Sequence, residues 1–336
     1  AMAPGGSHIA APAIALPSLI GGEHEGFSSA IAIHRGPENL GIDLSQLPCN
    51  AIVDMQTFGE TGFTALRRIA KIMPAPEIGP MISELEVAGG CLRTVIRANW
   101  KLYLENINDA MHPVTAHASA SEAAFAVWNA HPEGSPPPMA MQQLLPFGSG
   151  YDFYDGIGAR VLPNGHSILG TRSSLHVSYA DLPEYEPAMI TAHGAERTRE
   201  ILSFTPQNVI LYPGLSFKAS PQALRVIRPL GADRTVIEAW SFRPKRAPAA
   251  LLQRAALYNR LVFSPMSVVA HDDIHLFECI QEGLQAPGNE WVSLHRGHDG
   301  NAEETVGTIA CKGTSKRLMR NQFQAWARFM ATSEEN

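Results

Sequence analysis

Six short β-like runs follow one another between Tyr151 and Phe242, and they restrict the fold more than any other feature of the chain. They are Arg160–Leu162, Ser167–Arg172, Asn208–Tyr212, Ser216–Ala219, Leu224–Pro229 and Thr235–Phe242, set off by turn residues such as Asn164-Gly165. One short helical stretch, Gly194–Leu202, interrupts them. Parallel neighbours need a crossover of a dozen or more residues for every strand. Strands this close together therefore predict an antiparallel sheet. Another strand signal lies in Leu85–Ala98. Helices are predicted over about Asn99–Met111, Pro248–Leu261, Asp272–Leu284 and Arg317–Met330, the last with Met319, Phe323, Trp326 and Met330 as an inward stripe. The expected architecture is α+β, one antiparallel sheet with helices gathered on one side.

Composition narrows the function. With 45% hydrophobic and 17% charged residues, the chain has material for a real core. A net charge of −6 without a basic run argues against nucleic acid or an anionic membrane as the main partner. No run reaches the ~18 apolar residues of a membrane helix. Cys49, Cys91, Cys279 and Cys311 are too scattered for a disulfide framework, and a cytoplasmic protein is expected. Residues 1–50 are rich in Ala, Gly, Pro and Ser and lack periodicity, so they read as a poorly ordered segment or the remnant of something longer. Residues 51–336 read as the folded domain, entered by a helix over Thr57–Met73.

Chemistry concentrates in residues 99–117. On a helix Leu102, Glu105, Asp109 and His112 share one face, with Trp100, Leu104 and Ile107 opposite. His112 and His117 lie five residues apart, a turn of roughly 140° on a straight helix, so their rings would diverge. Pro113 is expected to disfavour helical geometry at His112 and re-aim the chain, letting both rings converge on one ion. Zinc peptidases place a Glu between two histidines at i, i+4, a pattern missing from this segment. Two histidines plus one carboxylate is instead the set that non-haem Fe(II) oxygenases use. The best remote carboxylate is Asp273, sharing a face with Phe277 and Gln281, while Asp272 suits a helix cap or a first-turn charge.

Asn99-Trp100-Lys101-Leu102, Glu105-Asn106, Asp109, His112, His117 and the remote Asp272-Asp273 pair together resemble the catalytic domain of Rieske-type aromatic ring-hydroxylating oxygenase α subunits, over about residues 85–330. The resemblance implies a helix-grip (START-like) fold, an antiparallel sheet wrapping a long C-terminal helix. It implies mononuclear Fe(II) held by His112, His117 and Asp273, with O₂ activated there to hydroxylate an aromatic or other apolar small molecule. It implies Asp109 as the electron bridge to a neighbouring subunit's Rieske cluster, a trimeric or larger assembly, and an NAD(P)H-dependent reductase upstream. Asn106, one turn before Asp109, is expected either to approach the iron or to serve in helix capping or packing. Asp109 has the alternative of simply orienting His112, and Val114, Phe263 and Met266 are expected as pocket walls.

A Rieske cluster needs Cys-x-His and a later Cys-x-x-His. None of the four cysteines has a histidine two or three residues after it, so the [2Fe–2S] centre is expected only on a partner or a missing domain. A second class of function follows from that gap: a helix-grip module binding hydrophobic ligands without catalysis, or an inactive oxygenase fragment. His271 and His275 form an i, i+4 pair but project away from Asp273 and lack further ligands nearby, which disfavours a zinc site.

Overall fold

The computed structural model describes residues 85–135, 138–170, 183–203, 206–218, 223–244, 249–288, 291–298 and 309–332. The expected N-terminal segment and the helix over Thr57–Met73 lie outside the described residues. In chain order the elements are β1 (Leu85–Ile96), α1 (Trp100–Ile107), α2 (Pro113–Ala116), α3 (Ala118–Asn129), α4 (Met139–Leu144), α5 (Tyr151–Gly156), β2 (Ala159–Val161) and β3 (Ser167–Leu169). They continue with α6 (Tyr185–His193), α7 (Ala195–Ser203), β4 (Asn208–Leu211), β5 (Leu215–Lys218), β6 (Ala223–Gly231), β7 (Arg234–Pro244), α8 (Ala249–Val262), α9 (Ala270–Gly283), β8 (Ile309–Cys311) and α10 (Arg317–Thr332).

The eight strands form one sheet in the order β1-β7-β6-β5-β4-β3-β2-β8, with antiparallel neighbours throughout. The α+β reading and its antiparallel sheet are therefore correct. The Asn164-Gly165 turn forms as expected, with φ of 58° and 83°. Gly165 is also required sterically: a Cβ there would sit 2.7 Å from the Tyr212 ring and 3.0 Å from Ala325 on α10. Helices α2 to α6 and strand β8 were not anticipated. Three-residue β8 carries little pattern of its own and exists by pairing with β2. Helix α6 accommodates Pro187 in its first turn, where no helical N–H is lost, and Gly194 at φ 80° separates it from α7.

Two main apolar clusters flank the site. Trp100, Leu104 and Ile107 of α1 are buried against Ile210, Ile227 and Ile237 of the sheet, Phe277 of α9 and Ala325 of α10. Burial of each large α1 side chain contributes about 1.5–3 kcal/mol, so α1 is held rigidly. Leu144, Phe147, Tyr154, Leu169, Tyr258, Val262 and Leu318 build the second cluster. Helix α10 thus touches both clusters, the arrangement a helix-grip requires. Its inward stripe is rotated from the expected one. Leu318, Met319, Gln322 and Ala325 are buried, whereas Phe323, Trp326 and Met330 are only half-buried. The reason is polar: Asn108 Nδ2 donates to Gln322 Oε1 at 2.9 Å, drawing that residue inward, and Trp326 sits under the Lys101 ammonium at 4.8 Å.

Candidate metal centre

The site is built where α1 ends. Asn99 opens α1, its side-chain oxygen accepting from the Lys101 N–H. The helix stops at Ile107, before the expected Met111, because the chain finds other partners there. Asn208 Nδ2 on β4 donates to the Ile107 carbonyl at 2.8 Å, and Ser167 Oγ donates to Asn108 Oδ1 at 2.8 Å. Asp109 and His112 consequently leave the helix, and the shared face expected for them does not form.

The predicted effect of Pro113 is corrected as well. His112 is helical, at φ −57° and ψ −35°, and Pro113 opens the short helix α2. Proline is well suited to that first position. The His112 conformation is held from behind, where its N–H donates to Asp109 Oδ2 at 3.1 Å. What aims the two rings together is the break over 108–112 and the kink at His117, φ −107° and ψ 17°. Their ring centroids lie 5.2 Å apart, nearly perpendicular.

Helix α9 supplies the carboxylate by docking antiparallel to α1. Phe277 meets Tyr103 edge-on, Gln281 Oε1 accepts from the Asn99 N–H at 2.9 Å, and Asn106 Nδ2 donates to Asp273 Oδ1 at 2.9 Å. Asp273, Phe277 and Gln281 do share the inward face, as their spacing requires. His117 Nε2 stands 3.4 Å and His112 Nε2 3.9 Å from Asp273 Oδ1, and one ligand atom from each residue falls within 4.8 Å of the others. His271 and His275 are exposed on the far side of α9. Asp272 is a first-turn charge but not the cap: Ser267 Oγ accepts from the Ala270 N–H, and Asp272 Oδ2 faces His117 Nδ1 at 3.7 Å.

The protonation states favour a cation. His112 Nδ1 lies 2.9 Å from the Asp109 carbonyl, which can only accept, so that nitrogen carries the proton and Nε2 offers its lone pair. Desolvation, with the neighbouring His117 adding to it, lowers His112 to about 3. Burial also lowers His117, against the pull of Asp272. Both rings are therefore neutral at neutral pH, the ligating form. Burial raises the Asp273 carboxyl to about 7, opposed by the Asn106 hydrogen bond and the Arg225 charge. Two neutral imidazoles and one carboxylate are a donor set suited to Fe(II). His117 Nδ1 and Asp272 Oδ2, buried and without hydrogen-bond partners among the described residues, face each other as an outer pair that a slight ring shift would close. These residues fit the iron centre.

The centre opens into a cavity of about 60 Å³. Phe263 lines it, with Phe147, Tyr154 and Tyr258. Val114 is not on its lining; it packs against the adjacent core cluster. Met266 is not a wall either. It is 89% exposed in the turn between α8 and α9, where its N–H meets Ser264 Oγ at 3.3 Å. The walls also include Lys218, Arg225, Gln207 and Asn208, which were not foreseen. For Lys218 and Arg225, charge within short, largely buried strands was the available signal, and it does not say which face turns inward. Asp109 lies at the outer edge, where Arg296 donates to its Oδ1 at 2.9 Å.

Two histidines and a carboxylate thus converge at an aromatic-walled cavity, on an antiparallel sheet packed against a C-terminal helix, as a group that could hold a metal ion. Residues 82–306 match the family described as ring hydroxylating alpha subunit (catalytic domain), and the chain belongs to that family. Among curated proteins it is similar to the 2-halobenzoate 1,2-dioxygenase large subunit of Burkholderia cepacia, 24% identical over 221 residues, covering 64% of this chain and 44% of that one. It is also similar to the toluate 1,2-dioxygenase subunit alpha of Pseudomonas putida, 27% identical over 220 residues, covering 64% and 45%. The chain thus spans about half the length of the curated relatives it matches. Its fold resembles that of naphthalene 1,2-dioxygenase with indole bound in the active site, with a TM-score of 0.52 at 19% identity, over 82% of this chain and 59% of that one. No helix among the described residues is long and apolar enough to cross a membrane.

Proposed function

We propose that this chain is the oxygen-activating portion of a ring-hydroxylating oxygenase, holding one Fe(II) through His112, His117 and Asp273 and hydroxylating an aromatic small molecule. The observation that carries the reading is the convergence of the three ligand atoms at the head of the cavity. Membership of the ring-hydroxylating family supports it. Fe(II) bound there supplies the redox chemistry with O₂ that no side chain can perform.

The chain's own residues do the positioning. The Asp109 carbonyl keeps the His112 proton on Nδ1, and Asn106 holds one Asp273 oxygen in place. Phe147, Tyr154, Tyr258 and Phe263 wall the reacting space and exclude water. Asp109, linked to His112 by two hydrogen bonds and near the outside, suits the entry point for electrons. Electrons come from a Rieske [2Fe–2S] centre on a partner chain or on a domain outside this sequence, fed by an NAD(P)H-dependent reductase. A bridge between subunits makes a trimer the expected assembly.

Anaerobic loading with Fe(II) should leave about one iron per chain, without an iron–sulfur absorption band. Alanine at His112, His117 or Asp273 should abolish retention, and iron persisting in all three variants would refute the assignment. Asp109→Ala should keep its iron yet stop turnover once a Rieske donor is supplied. A wild-type chain that takes up no iron would leave a ligand-binding cavity in its place.

A further inference from the structure

The cavity carries two buried cations. Lys218 closes β5 and Arg225 lies on β6, and both are almost fully buried, at 5% and 3% exposure. Register explains why they meet. Ser216 pairs with Arg225 across the ladder, so their side chains share a face, and Lys218, two residues beyond Ser216, returns to it. That face is the one turned toward α1 and the metal ligands, and both cations line the cavity. Arg225 is braced by its Nη2 donors to Asn208 Oδ1 at 2.6 Å and Ser216 Oγ at 2.7 Å. Its guanidinium lies 4.9 Å from the Phe263 ring centroid, while Nε has no hydrogen-bond partner among the described residues.

Lys218 is more exceptional. Its ammonium lies 5.6 Å from the Tyr258 ring, and among the described residues no carboxylate or hydrogen-bond acceptor is paired with it. Burial and the Arg225 charge depress its pKa well below the ordinary lysine value. A buried ammonium without a counter-anion is costly, and an apolar ligand beside it would leave that cost in place. An anionic ligand removes it. The aromatic side chains of Phe147, Tyr154, Tyr258 and Phe263 line the same cavity, beside the cations, the three proposed ligands and the polar side chains of Gln207 and Asn208.

We propose that the cavity selects an aromatic carboxylic acid, with its ring among the aromatic walls and its carboxylate held by Lys218 and Arg225. The inference deepens the oxygenase reading by naming the substrate class, and rests on it for the reaction. The carboxylate accepts hydrogen bonds from the Lys218 ammonium and the free Arg225 Nε–H. It anchors the ring in the space that His112, His117 and Asp273 border.

Calorimetric titration of the iron-free chain with benzoate, and with neutral benzamide of the same shape, tests the inference apart from catalysis and from carboxylate binding to iron. Benzoate should bind more tightly than benzamide. Lys218→Met, which keeps the volume and removes the charge, should weaken benzoate by roughly tenfold or more and leave benzamide unchanged. Arg225→Gln should act in the same direction, with thermal melts of both variants checking the fold. Equal affinity for the two probes, no benzoate binding, or benzoate affinity intact in Lys218→Met would overturn the proposal. Iron stoichiometry on the same preparation separates the two readings. One iron per chain without benzoate selectivity defeats only the carboxylate clamp, and selectivity without iron uptake defeats the oxygenase reading alone.

Discussion

Asn106 illustrates how a neutral side chain can orient a proposed metal ligand. Its Nδ2 donor orients one oxygen of Asp273, a carboxyl that burial raises to about 7 even with this hydrogen bond pulling the other way. Asn106→Ala should lower Fe(II) affinity by roughly 10–100-fold, the usual cost of losing a group that orients a ligand. A metal-competition titration measures this, and unchanged affinity would show that Asp273 is oriented by other contacts. His112, His117 and Asp273 were singled out in advance by the spacing of the two histidines and by the resemblance to the oxygenase family, and the fold brings these three together. Lys218 and Arg225 were not singled out, since each sits in a strand where alternation alone does not say which face turns inward. Met266 shows the reverse error: an apolar residue near Phe263 in sequence is turned to solvent by the loop it occupies.

Among the elements, α1 combines a rigid apolar face with a strained polar one. Burial raises the Glu105 carboxyl from 4.5 to about 7, offset by Lys316 and Lys101, and lowers Lys101 to about 8. The folded state therefore holds the Glu105 proton more tightly than the unfolded chain. That contribution to stability is present below pH about 4.5 and lost as pH rises through about 7. Glu105→Gln does not ionise, so it should be more stable than the native chain at pH 8, by at most ~3 kcal/mol given about 1.4 kcal/mol per pKa unit. The gap should close at pH 4.5. Denaturant melts at the two pH values decide it, and because Asp273 titrates in both proteins its effect cancels. An equal gap at both values would mean that Glu105 is not desolvated. Helix positions were legible here because Trp100, Leu104 and Ile107 recur at helical spacing. The end of α1 was not, because Asn208 and Ser167, which bind its last residues, come from strands that follow much later in the chain.

For the whole molecule, the centre ties together segments separated by more than 150 residues, His117 near α2 and Asp273 on α9. A cation that binds only the folded arrangement stabilises all of it. Saturating Fe(II) at 100 times its dissociation constant should add ~2.7 kcal/mol to unfolding. An anaerobic thermal melt should show the upward shift in the native chain and none in Asp273→Ala. A shift that survives in the variant would place the metal elsewhere.

Strand alternation, helical spacing and turn residues are local properties, carried by side chains a few positions apart. They were enough for an antiparallel α+β fold and for most of its strands, while the candidate group of His112, His117 and Asp273 was reached with the help of the family resemblance. The aim of the two imidazoles, the rotation of α10 and the cationic wall of the cavity depend on contacts between residues far apart in the chain. Packing density and hydrogen-bond satisfaction select among those contacts only once the sheet and helices meet. The sheet register turns Arg225 and Lys218 toward the ligands, and the docking of α9 on α1 carries Asp273 to within reach of both histidines.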